Sequence, residues 1–91
     1  LISPYEFHLF QNYPQPFNPT TTIKYQIPKR SKVILKVIDV LGNEIETLVD
    51  QKKSAGIYDI DFDGTRLTSG IYFYSLKTKE FTDTKKMILL K

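Results

Sequence analysis

Apolar and polar residues alternate with a period of two through almost the whole chain, which leaves little room for anything but β-strands. Ile23, Tyr25 and Ile27 share one face of residues 22–27. Tyr58, Ile60 and Phe62 share a face of 57–62, against Asp59 and Asp61 on the other, and Tyr72, Tyr74 and Leu76 align in 71–77. Residues 33–40 are apolar on both faces, with Val33, Leu35 and Val37 on one and Ile34, Ile38 and Val40 on the other. That suits a central strand, inward on one face and partly covered on the other. Phe7, Leu9 and Gln11 suggest a short first strand, 45–49 a return strand, and 85–90 a last one. Pro28 stops one strand and Asp63-Gly64 another. Gly42-Asn43 can take positive φ, as a two-residue hairpin loop demands. Helical periodicity is nearly absent. The pattern predicts an all-β fold, an immunoglobulin-like antiparallel β-sandwich of about seven strands. The antibody-type Cys…Trp…Cys markers are missing, because the chain contains neither residue. A small five-stranded barrel would leave two strands without a place.

With 91 residues, the chain has the size of one sandwich domain and has little bulk left for a deep cleft. It is expected to form a single domain over 1–91, with 1–6 a linker remnant. The opening LISPYEF has no starting methionine and no basic-then-apolar leader pattern, so it reads as a piece of a longer protein or a processed product. No apolar run approaches the roughly 18 residues needed to span a bilayer.

The formal charge of +3 is local. Lys77, Lys79, Lys85, Lys86 and Lys91 face only Glu80 and Asp83 in the last segment, while the first 76 residues balance eight basic against eight acidic side chains. An excess this small does not make a nucleic-acid footprint. Lysines near a final strand are the usual protection of a sheet edge.

Few residues offer chemistry. With no cysteine there is no disulfide or thiolate. His8, the one histidine, lies opposite Phe7 and Leu9 and is expected to face solvent. Asp59, Asp61 and Asp63 are the best metal candidates, with 59 and 61 about 7 Å apart on one strand face. Calcium favours such oxygens, but the spacing lacks an ion-wrapping loop, so a solvated strand face is the simpler reading. No glycine-rich phosphate loop occurs, and Pro19 spoils the Asn18-Pro19-Thr20 glycosylation acceptor. The residues support a small sandwich that is not an enzyme and needs no cofactor.

Two further stretches stand out. "QNYPQPFNP", residues 11–19, leads into the strand at 22–27. Pro14, Pro16 and Pro19 fix φ near −65° and bias Tyr13, Gln15 and Asn18 toward extended backbone. This predicts a stiff arm crossing between the sheets, with Phe17 as a plug and Asn18 bonding nearby backbone. "SAGIYDIDF" and "TSGIYFYSL" repeat small-Gly-Ile-Tyr ahead of a strand. Glycine permits the sharp turn, and the tyrosine starts the inward row with its hydroxyl near the rim.

"NYPQPFNPTTTIKYQIP", "VILKVIDVLGNEIETLV", "SAGIYDIDFDGTRLTSGIYFYSL" and a closing "TKKMILLK", in this order, resemble the type A carboxy-terminal sorting domain of the type IX (Por) secretion system. The resemblance covers about 7–91; glutamine at position 15, where asparagine is commoner, is its one small departure. It implies a non-catalytic immunoglobulin-like domain at the end of a larger secreted protein from the Bacteroidetes or neighbouring phyla. The implied partners are the outer-membrane translocon, a sortase-like surface peptidase and a covalently fused upstream cargo, with no nucleic acid and no membrane insertion. The implied destination is the cell surface or the medium, by way of the periplasm. The family's signal maps onto Gly56, Tyr58, Gly70 and Tyr72, and onto Lys85, Lys86, Met87, Ile88, Leu89 and Lys91. A final edge strand could be read by strand addition, with alternate side chains providing selectivity. Tyr58, Tyr72, Met87 and Leu89 also fit as ordinary core residues. Two other functions remain. A carbohydrate-binding or adhesive module would need Tyr13, Phe17 or Tyr74 in an exposed aromatic platform. A spacer like the flagellar hook-capping immunoglobulin-like domain is the other.

Overall fold

The computed structural model describes residues 6–91. The expected linker remnant, apart from Glu6, lies outside the described residues. Seven strands follow in order: β1 (His8–Leu9), β2 (Thr20–Ile27), β3 (Ser31–Ile38), β4 (Glu44–Lys53), β5 (Gly56–Asp63), β6 (Gly70–Lys77) and β7 (Thr82–Leu89). They form two antiparallel sheets, a three-stranded one ordered β1-β2-β5 and a four-stranded one ordered β4-β3-β6-β7. The expected all-β sandwich is the observed fold, and β3 is central, between β4 and β6.

Alternation decides which side chains meet. From the first sheet, Leu9, Ile23, Tyr25, Ile27 and Phe62 point inward. From the second, Val33, Leu35, Val37, Tyr72, Tyr74, Leu76, Met87 and Leu89 meet them. Burial of this set is the main favourable term for a domain this size. Tyr25 stacks on the half-buried Tyr58, and the Tyr74 hydroxyl donates to the Phe10 carbonyl at 2.6 Å. Burial, helped in Tyr25 by the neighbouring Tyr58, pushes both Tyr25 and Tyr74 phenols up to about 12. Both raised values favour the neutral form in the fold. Their stabilising effect is whole below the ordinary tyrosine value of about 10 and is lost as pH rises through 12. Unfolding followed by circular dichroism is therefore expected to set in between pH 10 and 12, together with ionisation of Tyr25 and Tyr74. Ionisation of either of these two with the fold intact would contradict this.

Two details differ from the expected strands. The β3–β4 connection is a three-residue loop, not a two-residue one. The Asp39 N–H donates to the Asn43 carbonyl at 3.0 Å, and positive φ occurs at Gly42 (+86°) but at no non-glycine residue. A type I turn closed by a left-handed glycine needs only that one residue. Val40, expected on a strand face, sits in this loop and is 64% exposed. The Asp39 carboxylate receives the Leu41 and Asn43 N–H groups, and those bonds hold its pKa below the ordinary carboxylate value, the Asn43 bond most. His8 is half-buried and packs edge-on against Phe10, not free in solvent.

Residues 11–19 do cross between the sheets. Tyr13 bridges to Thr22 in the first sheet, and Phe17 bridges in parallel to Leu89 in the second. The peptide bonds before Pro14, Pro16 and Pro19 are cis. Phe17 is 1% exposed and packs edge-on against Phe62. Buried Gly64 closes over it, with room so tight that an added Cβ would meet Leu89 and Phe17 carbons at 3.1 and 3.3 Å. Asn18, by contrast, is exposed. The amide that ties the arm down is Asn12, donating to Thr21 Oγ1 at 3.0 Å and Pro14 O at 3.3 Å.

Candidate functional site

The residues assigned by resemblance fall into two groups. The first is the repeated Gly-x-Tyr. Tyr58 donates its hydroxyl to the Ser54 carbonyl at 2.7 Å, and Tyr72 donates to the Thr68 carbonyl at 2.7 Å. In both, the tyrosine reaches back over its glycine to the residue two positions before it. Gly56 and Gly70 hold φ of +156° and +153°, a region that other residues enter only with strain. The echo in the sequence is therefore one corner built twice, similar to the tyrosine corner of immunoglobulin-type sandwiches. Replacing Gly70 by alanine is expected to cost roughly 1–3 kcal/mol through its backbone alone; an added Cβ there meets nothing within 4 Å. Tyr72→Phe is expected to cost about 1 kcal/mol, the net value of one hydrogen bond. Urea melts of both variants check this. Equal costs for the two would show that the backbone strain is not the larger effect.

The second group is the end of the chain. Met87 and Leu89 point inward and are fully buried, so they belong to the core. Tyr72 joins them there, directly opposite Met87. Lys86 and Lys91 are exposed, and Lys85 and Ile88 are half-buried. Lys91 donates from its backbone N–H to Ser69 Oγ at 3.0 Å and from Nζ to the Thr65 carbonyl.

β7 is an edge strand, but over residues 86–90 its outward side is not free. Gln15 mimics a strand residue with its side chain, donating Nε2–H to Lys86 O at 3.3 Å and accepting the Ile88 N–H at Oε1 at 3.0 Å. Gln11 also donates to Lys86 O, at 2.7 Å. Phe17 N–H then reaches Ile88 O at 2.9 Å, and Leu90 N–H reaches Phe17 O at 3.0 Å. The arm thus takes the backbone groups that a partner strand would use, and the expectation of an open edge is corrected for this half of β7. The cause lies in the arm's prolines. They supply no N–H, so glutamine amides replace the missing ladder. Nothing in the sequence pattern alone pairs residue 15 with residue 88.

Asp61 accepts from Thr22 Oγ1 at 2.9 Å, and Asp63 accepts both the hydroxyl and the N–H of Thr65. Those Thr65 bonds, the hydroxyl's first, hold the Asp63 carboxyl below its usual value. Among the described residues no three acidic or histidine side chains converge as a metal site would require. The aromatic platform that the adhesive alternative needs is not formed by these three residues: Tyr13 is 81% exposed, but Phe17 and Tyr74 are in the core. No helix among the described residues is long and apolar enough to cross a membrane.

Comparison with known proteins adds one positive finding. A family model described as the secretion system C-terminal sorting domain matches residues 11–90. No curated protein matches the chain.

Proposed function

The chain belongs to the type IX secretion system C-terminal sorting domain family, and from that premise we propose that it carries an upstream cargo protein across the outer membrane to the cell surface or medium. Membership means a sorting signal for type IX secretion and export of a fused cargo. The finer steps are our reading: passage through the periplasm, recognition by the outer-membrane translocon, and removal by a sortase-like surface peptidase. The domain does no chemistry of its own in this scheme.

The observation that carries the proposal is the match over nearly the full length of the sandwich, ending on β7. Within it the proposed signal divides by exposure. Lys85, Lys86, Ile88 and Lys91 are the side chains a receptor can touch. Gly56, Tyr58, Gly70, Tyr72, Met87 and Leu89 keep β7 and its neighbours in the shape that presents them. The arm's hold on residues 86–90 shifts the expected mode of reading there from strand addition to side-chain contact. A periplasm-targeted reporter fused ahead of Leu1 tests the proposal in a type IX-secreting bacterium. The reporter is expected outside the cell with the domain and in the periplasm without it. Equal distribution of the two would refute the assignment.

A further inference from the structure

Two open sheets leave four edge strands, and three of these cannot accept a long regular partner. β1 is two residues long. β4 carries two register shifts against β3, and such bulges break a regular ladder. β7 is held by the arm over 86–90, and ahead of that the Thr84 N–H is taken by the Asp83 carboxylate at 2.8 Å. β5 differs. It pairs with β2 through all eight of its residues without a shift, and no strand lies on its other side.

The ladder fixes which backbone groups of β5 are free. β2 turns its even-numbered residues toward β1 and the arm: the Phe10 N–H reaches Lys24 O at 3.0 Å, and Thr22 exchanges two bonds with Tyr13 at 2.9 and 3.0 Å. Its odd-numbered residues therefore bond β5, through Gly56, Tyr58, Ile60 and Phe62. The N–H and C=O groups of Ile57, Asp59 and Asp61 point out of the sheet edge, and nothing among the described residues bonds them. The side chains on this strand are also incompletely answered. Asp59 lies opposite Lys24, yet Lys24 Nζ stands 5.8 Å over the Phe10 ring and no ion pair joins the two. Asp61 accepts one hydroxyl, from Thr22, and no cation. Ile57 is 61% exposed, and the inward Tyr58 and Ile60 are only half-buried. Past Ile60 the gap between β5 and β4 opens into a groove of about 530 Å³, lined by Ile45, Phe62 and Leu67 together with Glu46 and Arg66.

We propose that the free edge of β5 takes an extended, basic segment of another protein as an added antiparallel strand. Main-chain bonds to Ile57, Asp59 and Asp61 hold it, and alternate side chains select it. Residues directly opposite share a face. The segment therefore presents Lys or Arg to Asp61 and Asp59, and apolar side chains to Ile60, Tyr58 and Ile57. Read along its own chain, its pattern is basic, apolar, basic, apolar, apolar. A second copy does not fit, because two β5 strands paired antiparallel set aspartates against aspartates, and like charges placed opposite repel. The inference goes beyond the sorting function and does not depend on it.

The test is an NMR titration of the 91-residue chain with a synthetic peptide, blocked at both ends, that reads Thr-Lys-Val-Lys-Val-Val-Thr. Saturable shifts are expected at the Ile57, Asp59 and Asp61 amides, with slowed deuterium exchange there. The same peptide with glutamate for both lysines is expected to leave them in place. Asp59→Asn with Asp61→Asn removes the two charges from exposed positions and is expected to weaken binding by about fivefold, the combined effect of two exposed cross-strand charge pairs. Asp59→Pro removes one outward N–H while leaving the β2 ladder its bonds, and is expected to abolish binding. The double asparagine variant keeps the test decisive should the proline variant fail to fold. No saturable shift up to about 1 mM peptide, shifts centred on β4 or β7, or equal binding of the lysine and glutamate peptides would each overturn the proposal. The chain alone is expected to sediment as a monomer; a dimer dissolved by the asparagine or the proline variant would overturn it in favour of a second copy.

Discussion

Deleting residues 86–91 is expected to leave a fused cargo in the periplasm and, at the same time, to unfold the domain. The two effects share a cause. The deletion removes Met87 and Leu89, both fully buried. Truncating either side chain alone would cost about 2–5 kcal/mol, and a domain of this size holds only about 5–14 kcal/mol in all. It also strips the arm of Lys86 O, Ile88 N–H, Ile88 O and Leu90 N–H, so Gln15 and Phe17 lose the strand they are moored to. Export assays on the fusion, paired with circular dichroism of the purified protein, check both halves. A truncated domain that melts cooperatively near the parent temperature would contradict the packing account, and normal export would contradict the placement of the signal. Because fold and signal fall together here, an exposed substitution such as Lys86→Glu isolates the signal better than truncation does.

Phe17→Ala is expected to lower the unfolding free energy by about 3 kcal/mol, within the range for a buried phenylalanine. The site offers little scope for collapse. Phe62 packs on one side of the ring, Gly64 and Leu89 close another, and the Phe17 backbone is held by β7 through both its N–H and its C=O. At roughly 4–8 °C per kcal/mol for a domain of this length, the melting temperature would fall by more than 10 °C. A loss below 1 kcal/mol in urea titration would mean that the arm is not moored in the core. The backbone bonds make a further point measurable. The Ile88 and Leu90 amides are expected to exchange with solvent deuterium faster in Phe17→Ala than those at the centre of β6.

Much of this was legible because a half-buried strand writes its burial into alternate residues. Tyr72, Tyr74 and Leu76 could be placed inward from spacing alone, and so could Phe17, as the aromatic in a stiff crossing arm; Val33, Leu35 and Val37 could be grouped on one face, but only the fold shows that it is the inward one. The strands prove longer than their apolar residues suggest. β4 runs to Lys53 and β7 begins at Thr82, because backbone pairing continues where polar side chains face water. The turn at Val40-Leu41-Gly42 lies one residue from the expected one, since Gly-Asn suits two loop types and only the hydrogen bond from Asp39 to Asn43 selects between them. The assignment of a backbone tie to Asn18 instead of Asn12 has a similar origin. An asparagine beside proline signals a local turn, whereas Asn12 is recruited by Thr21 on the following strand.

What the sequence could not carry was the state of β7. Its lysines and terminal position suit an open edge, and only the fold brings Gln11, Gln15 and Phe17 onto it. The same is true of the ion pairs on the outer sheet face, because Lys32 and Lys36 find carboxylates across β4 through register, not through neighbours in sequence. The family resemblance, by contrast, rested on short ordered stretches, and the structure gives several of them a physical role. The proline arm covers the final half of the β7 edge, the Gly-x-Tyr pairs build two matching corners, and the closing strand fills the core with one face while offering the other.

The central claim is that the folded domain is itself an address read by the type IX translocon. It is tested most directly by comparing one reporter–domain fusion in a secreting strain and in the same strain with its translocon inactivated. The account expects the reporter at the surface or in the medium of the first and retained in the periplasm of the second. The same extracellular yield from both strains would contradict it.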